Sequence, residues 1–525
     1  MAVAILVVVR WPAEGVGDLN GAIALQVLRV FGYGLLTALL LVVPAFPATA
    51  IVREKVRGTL PLLLNSPLSV ATIYFGKLGG VLGFTGLLLL ITIPGAAACD
   101  ALGGSTSQGG VVLLYVVLVA ATFQVTALGL LVSSRAQSID GALRTTYAVV
   151  LAICVLPLLA HWLMPRDDPN MAMLAAWLGS LSPAPAVMEA VGQGEAGMPG
   201  TSYASGAVVR YLIVATGMSL LASALTLARL YFTPLDRPRP PGIMTQDRKL
   251  RGRLIRRLIF LVDPRRRSGS TNLLVNPVMV KEFRTRRFGR SDWTLRLLAL
   301  AAILSLALSV LAVVGALGWG IEVIGGALVI LQTLILVLFV PSLAAGLISA
   351  ERESGGWQLM RLTPLSPAKI IRGKLYSVAW PVVLLMAATL PGYVVLTTVK
   401  PELTHQIARV MTCMGLTAVF AVLVAAAASS VFRSTAAATA ASYMTVVAVC
   451  VAPLLVWLGR EAPFGHRTVE TALMIDPVAA ALRASDTPGF TAYQLLPMNW
   501  WLIGSASVAL LAILIVRTRQ LYRPE

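Results

Sequence analysis

The chain has 525 residues, 57% hydrophobic and only 12% charged, with a mean hydropathy of +0.82 and a formal net charge of +19. Soluble domains carry about a quarter charged residues, so this composition excludes a soluble globule. It also argues against a nucleic-acid binder, because the Lys and Arg residues gather between apolar runs rather than along one face.

Taken in chain order, runs of the roughly twenty apolar residues needed to cross about 30 Å of hydrocarbon recur throughout. They fall near 22–50, 78–98, 111–132, 146–164 and 207–231, then near 295–318, 323–349, 375–399, 407–429, 438–458 and 498–516. The expected fold is all-α, a polytopic helical membrane protein. Met1 to Val9 is apolar but far too short to span, and Arg10-Trp11-Pro12 is no small-residue cleavage site, so no cleavable signal peptide is expected. The first half therefore reads as lacking a full first span, and missing upstream sequence is favoured over a degenerate helix.

Two stretches repeat. Glu54-Lys55-Val56-Arg57-Gly58-Thr59-Leu60-Pro61-Leu62-Leu63-Leu64-Asn65-Ser66-Pro67-Leu68-Ser69, followed by Gly76-Lys77-Leu78, aligns without a gap at a separation of 297 residues. Its partner is Glu351-Arg352-Glu353-Ser354-Gly355-Gly356-Trp357-Gln358-Leu359-Met360-Arg361-Leu362-Thr363-Pro364-Leu365-Ser366, followed by Gly373-Lys374-Leu375. Ser133-Ser134, Tyr147, Cys154 and Pro157 continue the match to Ser429-Ser430, Tyr443, Cys450 and Pro453 at 296 residues, and Pro44 matches Pro341 at 297. A fixed separation over so many identities is an internal duplication. The expectation is about twelve transmembrane helices as two parallel six-helix repeats, with the first helix truncated. The expected domains are residues 1–232, a basic linker over 233–275 and a second half over 276–525.

Within the linker, Leu250, Leu254, Ile255, Leu258, Ile259, Leu261 and Val262 oppose arginines, the pattern of an interfacial helix over Arg248–Val262. The linker arginines and Arg517, Arg519 and Arg523 place the linker and C-terminus in the cytoplasm, while Asp100–Gly110 and Arg166–Ser205 face outward. Each repeated block then reads as a short cytoplasmic helix between two spans, with an apolar stripe of Leu60, Leu63 and Leu64 or of Trp357, Leu359, Met360 and Leu362. Ser66-Pro67 and Thr363-Pro364 read as the N-cap and first position of the helix that follows. A small protrusion tied rigidly to two spans suits docking into a groove of a soluble partner; the bland alternative is an ordinary polar loop.

These blocks resemble the motif Glu-Arg-Glu-x-Gly-Thr-Leu-Glu-x-Leu-Leu-x-Ser-Pro-Leu-Ser, then Gly-Lys, of ABC-2-type transporter permeases. The resemblance implies that each block is the coupling helix that inserts into an ATP-binding subunit. It carries over to Glu54, Gly58, Leu63, Leu64, Pro67, Ser69 and Lys77, and to Glu351, Glu353, Gly355, Leu359, Met360, Pro364, Ser366 and Lys374. Leu63, Leu64, Leu359 and Met360 are expected to make the docking contacts, the glutamates to set charge pairing, and Pro67 and Pro364 to form the rigid turn. Asn276-Pro277-x-x-x-Lys281-Glu282 resembles the family's amphipathic elbow and has no counterpart in the first half. Val56 replaces the second acidic residue, Gly356 replaces Thr, and Pro61 stands where the family has Glu, so the two docking surfaces should be unequal.

The chain has no Gly-x-x-x-x-Gly-Lys-[Ser/Thr] phosphate cradle. It is therefore expected to be a transport subunit and not an enzyme, with ATP-Mg bound by a pair of separate ATPase subunits. The other implied neighbour is membrane lipid, in a bacterial-type inner or plasma membrane, and no nucleic acid; export is implied by resemblance alone. Arg29 and Glu322 stand out as charges within spans, with interfacial placement expected. Gln124, Gln332, Thr85, Thr122, Thr126 and Thr333 could line a path, though helix-packing hydrogen bonds are the commoner use. His161, His405 and His466 are scattered, the four cysteines have no ligand spacing, and no metal site is expected. An ion-gradient-driven secondary transporter would also account for parallel repeats, but it would usually need a midplane carboxylate or Arg to couple ions and the sequence offers no convincing one. For a membrane-embedded enzyme the nearest candidate pair is Asp167-Asp168, which reads better as a solvated turn.

Overall fold

A backbone in hydrocarbon must satisfy its own hydrogen bonds, which leaves helices as the economical solution for these apolar runs. The computed structural model describes residues 21–101, 109–163, 169–192, 206–232, 276–285, 291–313, 321–458 and 465–522, and those residues contain helices and no strand. Among the described residues nine helices are long and apolar enough to cross a membrane, and Gly141–Cys154 and Leu298–Val310 are shorter apolar helices. The expected linker helix, the first twenty residues, Asp167-Asp168 and the side chains of His161 and Glu322 lie outside the described residues.

In the first half the elements are α1 (Gly21–Val42), α2 (Ala45–Ala50), α3 (Val52–Arg57), α4 (Leu60–Leu64), α5 (Val70–Ala101), α6 (Gly110–Arg135), α7 (Ile139–Leu163), α8 (Pro169–Gly179), α9 (Pro183–Ala190) and α10 (Ala207–Phe232). In the second they are α11 (Pro277–Thr285), α12 (Ser291–Val313), α13 (Ile321–Ala344), α14 (Ser349–Glu353), α15 (Gly356–Arg361), α16 (Pro367–Val399), α17 (Thr404–Val431), α18 (Thr435–Leu458), α19 (His466–Leu473), α20 (Pro477–Ala484) and α21 (Met498–Tyr522). The chain divides into two units, Met1–Thr233 with Val451–Ala472, and Pro234–Cys450 with Leu473–Glu525.

In the first unit α6 is central and packs against α10, α2, α5 and α9. Its Leu114, Val117, Leu118 and Ala121 are fully buried. Pro44 and Pro47 lack the N–H that would continue the α1 ladder, so the chain breaks after Val42 and α2 leans onto α6. The approach is close: a Cβ on Gly129 would lie 2.6 Å from the Pro47 ring. In the second unit α17 has the same central role against α21, α13 and α20. Its run Ala425-Ala426-Ala427 is buried, small side chains letting helix backbones approach where no hydrophobic effect drives them together. Leu87, Leu90 and Ile91 on α5 and Val383, Leu390 and Val394 on α16 are exposed, as apolar side chains facing lipid should be.

The duplication reappears as matched hydrogen bonds. Ser133 Oγ accepts from the N–H groups of Ile51 and Val52 at 3.1 and 3.0 Å, and Ser429 Oγ from Ile348 and Ser349 at 2.8 and 3.0 Å. Tyr147 donates to the Leu41 carbonyl at 2.7 Å, as Tyr443 does to that of Leu338 at 2.5 Å. Lys55 reaches the Ala136 carbonyl and Arg352 that of Phe432, cations at matched helix C-termini.

Candidate functional site

Each repeated block folds as two short helices closed by a left-handed glycine. Gly58 ends α3 at φ +73°, and Gly355 separates α14 from α15 at φ +76°. A Cβ at either would meet no atom within 4 Å, so the backbone angle and not crowding calls for glycine. The helix that leaves the block starts later than the Ser-Pro and Thr-Pro pairs suggest. Ser69 Oγ accepts from the Thr72 N–H at 3.1 Å, and Ser366 Oγ from Lys369 at 3.3 Å with Pro367 at the first helical position. Ser66 and Thr363 instead donate to the carbonyls of Leu63 and Met360, each at 2.7 Å, satisfying groups left over at the end of α4 and α15. Both reading frames place a hydroxyl before a plausible helix start; the orphan carbonyl three residues back takes the first one.

The apolar stripe divides into anchors and an outward face. Leu60 and its counterpart Trp357 are buried, Leu60 among Ile51, Tyr74, Leu78 and Leu130. Leu62 and its counterpart Leu359 are 73% and 70% exposed, and Leu362 is 83% exposed. Met360, expected at the docking surface, is instead buried, and Leu63 and Leu64 are half-buried, Leu64 against the Leu60 cluster. A helix of five or six residues shows only one side to solvent, and the buried anchors decide which.

Charged groups fasten the blocks. Lys77 donates to the Ala50 carbonyl at 2.9 Å and meets Glu54 at 3.5 Å; Glu54 also accepts from the Thr59 hydroxyl. Lys374 sits 2.6 Å from Glu282 with both side chains 3% exposed, and 3.7 Å from Glu351, which pairs with Lys281 at 2.7 Å. Asn276 bonds the Lys369 carbonyl at 2.7 Å and caps α11 by accepting from Val278. Three of the four residues singled out ahead of the second half, Asn276, Lys281 and Glu282, thus meet the second block or the helix leaving it, and Pro277 is the first residue of α11. Glu353 accepts from both the N–H and hydroxyl of Thr435 at 3.0 and 2.8 Å, fixing the start of α18. Val56, at the matched place, is exposed. The blocks therefore share a backbone and differ in their bracing.

Sequence reading missed the clamp on the second block. Trp357 Nε1 donates to the Leu521 carbonyl at 3.1 Å, and the Tyr522 hydroxyl to that of Leu365 at 2.8 Å, so the end of α21 holds both sides of α15. Aromatic residues near a C-terminus carry no periodic signal; only Trp357 in a loop otherwise matched by Leu60 hinted at it.

The remaining candidates are structural. Arg29 donates to the carbonyls of Val191 and Gly192 at 3.2 and 2.8 Å, at the C-terminal end of α9. Gln124 accepts from Tyr211 at 2.8 Å and Gln332 from Tyr393 at 3.1 Å, while Thr85, Thr122, Thr126 and Thr333 bond carbonyls of their own helices. No three His, Cys, Asp or Glu side chains gather as a metal site among the described residues. One buried carboxyl group was not among the residues singled out from the sequence: Asp476 is wholly inaccessible.

Residues 17–233 match the family model described as ABC-2 family transporter protein. No curated protein matches the chain.

Proposed function

We propose that this chain, a multi-pass membrane permease of the ABC-2 transporter family through its domain over residues 17–233, is the membrane subunit of an ATP-driven exporter. Its second half is a further copy of that domain, an assignment supported by the hydrogen bonds repeated 297 and 296 residues along the chain. ATP is bound and hydrolysed on a separate pair of ATPase subunits, one under α4 and one under α15. The blocks and the basic linker face the cytoplasm of a bacterial-type cell.

One observation carries the reading. Two short helices, each seated on the bundle by a buried anchor, present a leucine at the same place with about the same exposure, Leu62 at 73% and Leu359 at 70%. We read this repeated exposure, on two helices that the resemblance assigns to coupling, as a surface that a partner covers. Closure of the ATPases would push on these leucines; the anchors Leu60 and Trp357 would pass the displacement to α5 and α16, and to the preceding spans, α1 by way of α2 and α13 directly.

The test is co-purification. Leu62→Asp and Leu359→Asp should each lower the amount of ATPase retained, and the double variant should abolish it, while the permease keeps its yield and elution volume. Full retention of the ATPase by the double variant would refute the docking assignment.

A further inference from the structure

A carboxyl group that the sequence reading passed over sits at the start of α20 in the second unit. Asp476 caps α20: its Oδ1 accepts from the Val478 N–H at 2.8 Å. Its side chain is wholly inaccessible, and Oδ2 has no hydrogen-bond partner. No cation pairs with it among the described residues. Arg483, on the same helix, is committed to Asp486 at 2.6 Å and to the Tyr493 carbonyl at 3.0 Å.

The first unit contains the same cap with a different side chain. Ser182 precedes Pro183 and the eight-residue α9 as Asp476 precedes Pro477 and the eight-residue α20. Each helix is followed two residues on by a left-handed residue, Gly192 at φ +70° and Asp486 at φ +51°. Ser182 Oγ accepts from the Ala184 N–H at 3.3 Å and donates its own proton to the Cys154 carbonyl at 3.0 Å. Cys154 and Cys450 occupy matched positions, and Cys450 lies near enough to Asp476 for the two to interact electrostatically. A serine hydroxyl can both accept and donate; a carboxylate can only accept, and a carboxylic acid can do both.

We propose that Asp476 is a proton-binding site: the carboxyl is held as the neutral acid, its Oδ1 accepting from Val478 and its Oδ2–H donating to the α18 backbone at Cys450. This reproduces with an acid the bond that Ser182 makes with an alcohol. The N–H groups of Val478 and Ala479 hold one side of the carboxyl, but an ionised carboxylate enclosed without a cation and with Oδ2 unpartnered is strongly disfavoured, and binding a proton there removes the charge and gives Oδ2 a proton to donate. The titratable groups on the elements packed against α20 do not oppose this. On α17, Cys413 accepts from Trp500, and His405 and Arg409 lie at the start of that helix. On α21, Arg517, Arg519 and Tyr522 lie at its far end, and on α13 Glu322 is at the first turn. The proposal stands on the cap and its buried oxygen and does not depend on the ATPase reading.

Infrared spectroscopy of the intact protein in lipid nanodiscs tests it. The wild-type chain at pH 8, where exposed carboxyl groups are ionised, should show a protonated-carboxyl stretching band that shifts in heavy water. That band should be missing from Asp476→Ser, which keeps both hydrogen bonds in the manner of Ser182 and should therefore fold. Absence of any such band from the wild type at pH 8 overturns the proposal without requiring a variant to fold. Persistence of the wild-type band in Asp476→Ser at full intensity overturns it as well.

Discussion

Lys77 and Lys374 occupy one position in the duplication yet should differ sharply when replaced. Lys374 and Glu282 are each 3% exposed and 2.6 Å apart. Removing one partner of such a pair strands the other charge in a low-dielectric interior, a loss of roughly 3–5 kcal/mol. Lys77 and Glu54 are 3.5 Å apart with 19% and 34% of their side chains exposed. A pair this open contributes about 1 kcal/mol or less, and the Ala50 carbonyl bonded by Lys77 adds roughly another 1 kcal/mol. Lys374→Met should therefore lower unfolding stability two- to threefold more than Lys77→Met, measured as the shift of the unfolding midpoint in a mixed-micelle titration. The double variant Lys374→Met with Glu282→Leu should recover most of the loss, because replacing both members of a buried pair by apolar side chains is often close to neutral. Equal losses for the two single variants, or no recovery in the double, would refute the assignment of the second pair as a buried clamp between α11 and α16.

Other perturbations separate local terms. Gly58→Ala and Gly355→Ala meet open space, so each should cost only the left-handed backbone penalty of about 1 kcal/mol, read as a small fall in thermal midpoint. Ser133→Ala and Ser429→Ala each strand two N–H donors where the chain turns into the block, at roughly 1–3 kcal/mol per unsatisfied group, and the two losses should agree. Trp357→Ala removes both a buried ring and the bond to Leu521, and should destabilise by about 3–5 kcal/mol while freeing the C-terminal turn of α21 to faster hydrogen exchange.

The spans, their order and the repeated blocks were legible because hydropathy over twenty residues and identity at a fixed separation are strong signals. All eleven apolar runs fall on helices, nine long and two shorter among the described residues. Gly58 and Gly355 were legible for a related reason, since a left-handed residue admits few substitutes. What failed was local and directional. Whether Ser66 or Ser69 caps the next helix depends on which backbone group lies free, and whether Met360 or Leu359 faces outward depends on the tertiary seat of Trp357. Asp476 was overlooked because Asp-Pro reads as an exposed helix start, and only the packing of α17 and α13 over α20 makes it buried.

The two halves share a set of side-chain bonds to the backbone and one side-chain pair, Lys77 with Glu54 and Lys374 with Glu351, and they differ in what further braces each block. Ser133 and Ser429, Tyr147 and Tyr443, and Lys55 and Arg352 hold backbone groups whose positions are set by helix geometry, so any change moves the chain. Glu282 with Lys374, and the hydroxyl of Thr435 under Glu353, are side-chain partnerships of the second half, and at the place of Glu353 the first half has Val56. Backbone bonds therefore keep the two short helices in the same shape, while the variable bracing sets how firmly each is held. The lysine pair beside α15 is shorter and more buried than the one beside α4, and Trp357 and Tyr522 tie α15 to α21, so α15 is the stiffer of the pair. A push on Leu359 should be transmitted to its spans with less loss than a push on Leu62, so Leu359→Asp should reduce stimulated ATP hydrolysis more than Leu62→Asp at equal ATPase occupancy. Equal reductions would show that bracing does not set the efficiency of coupling.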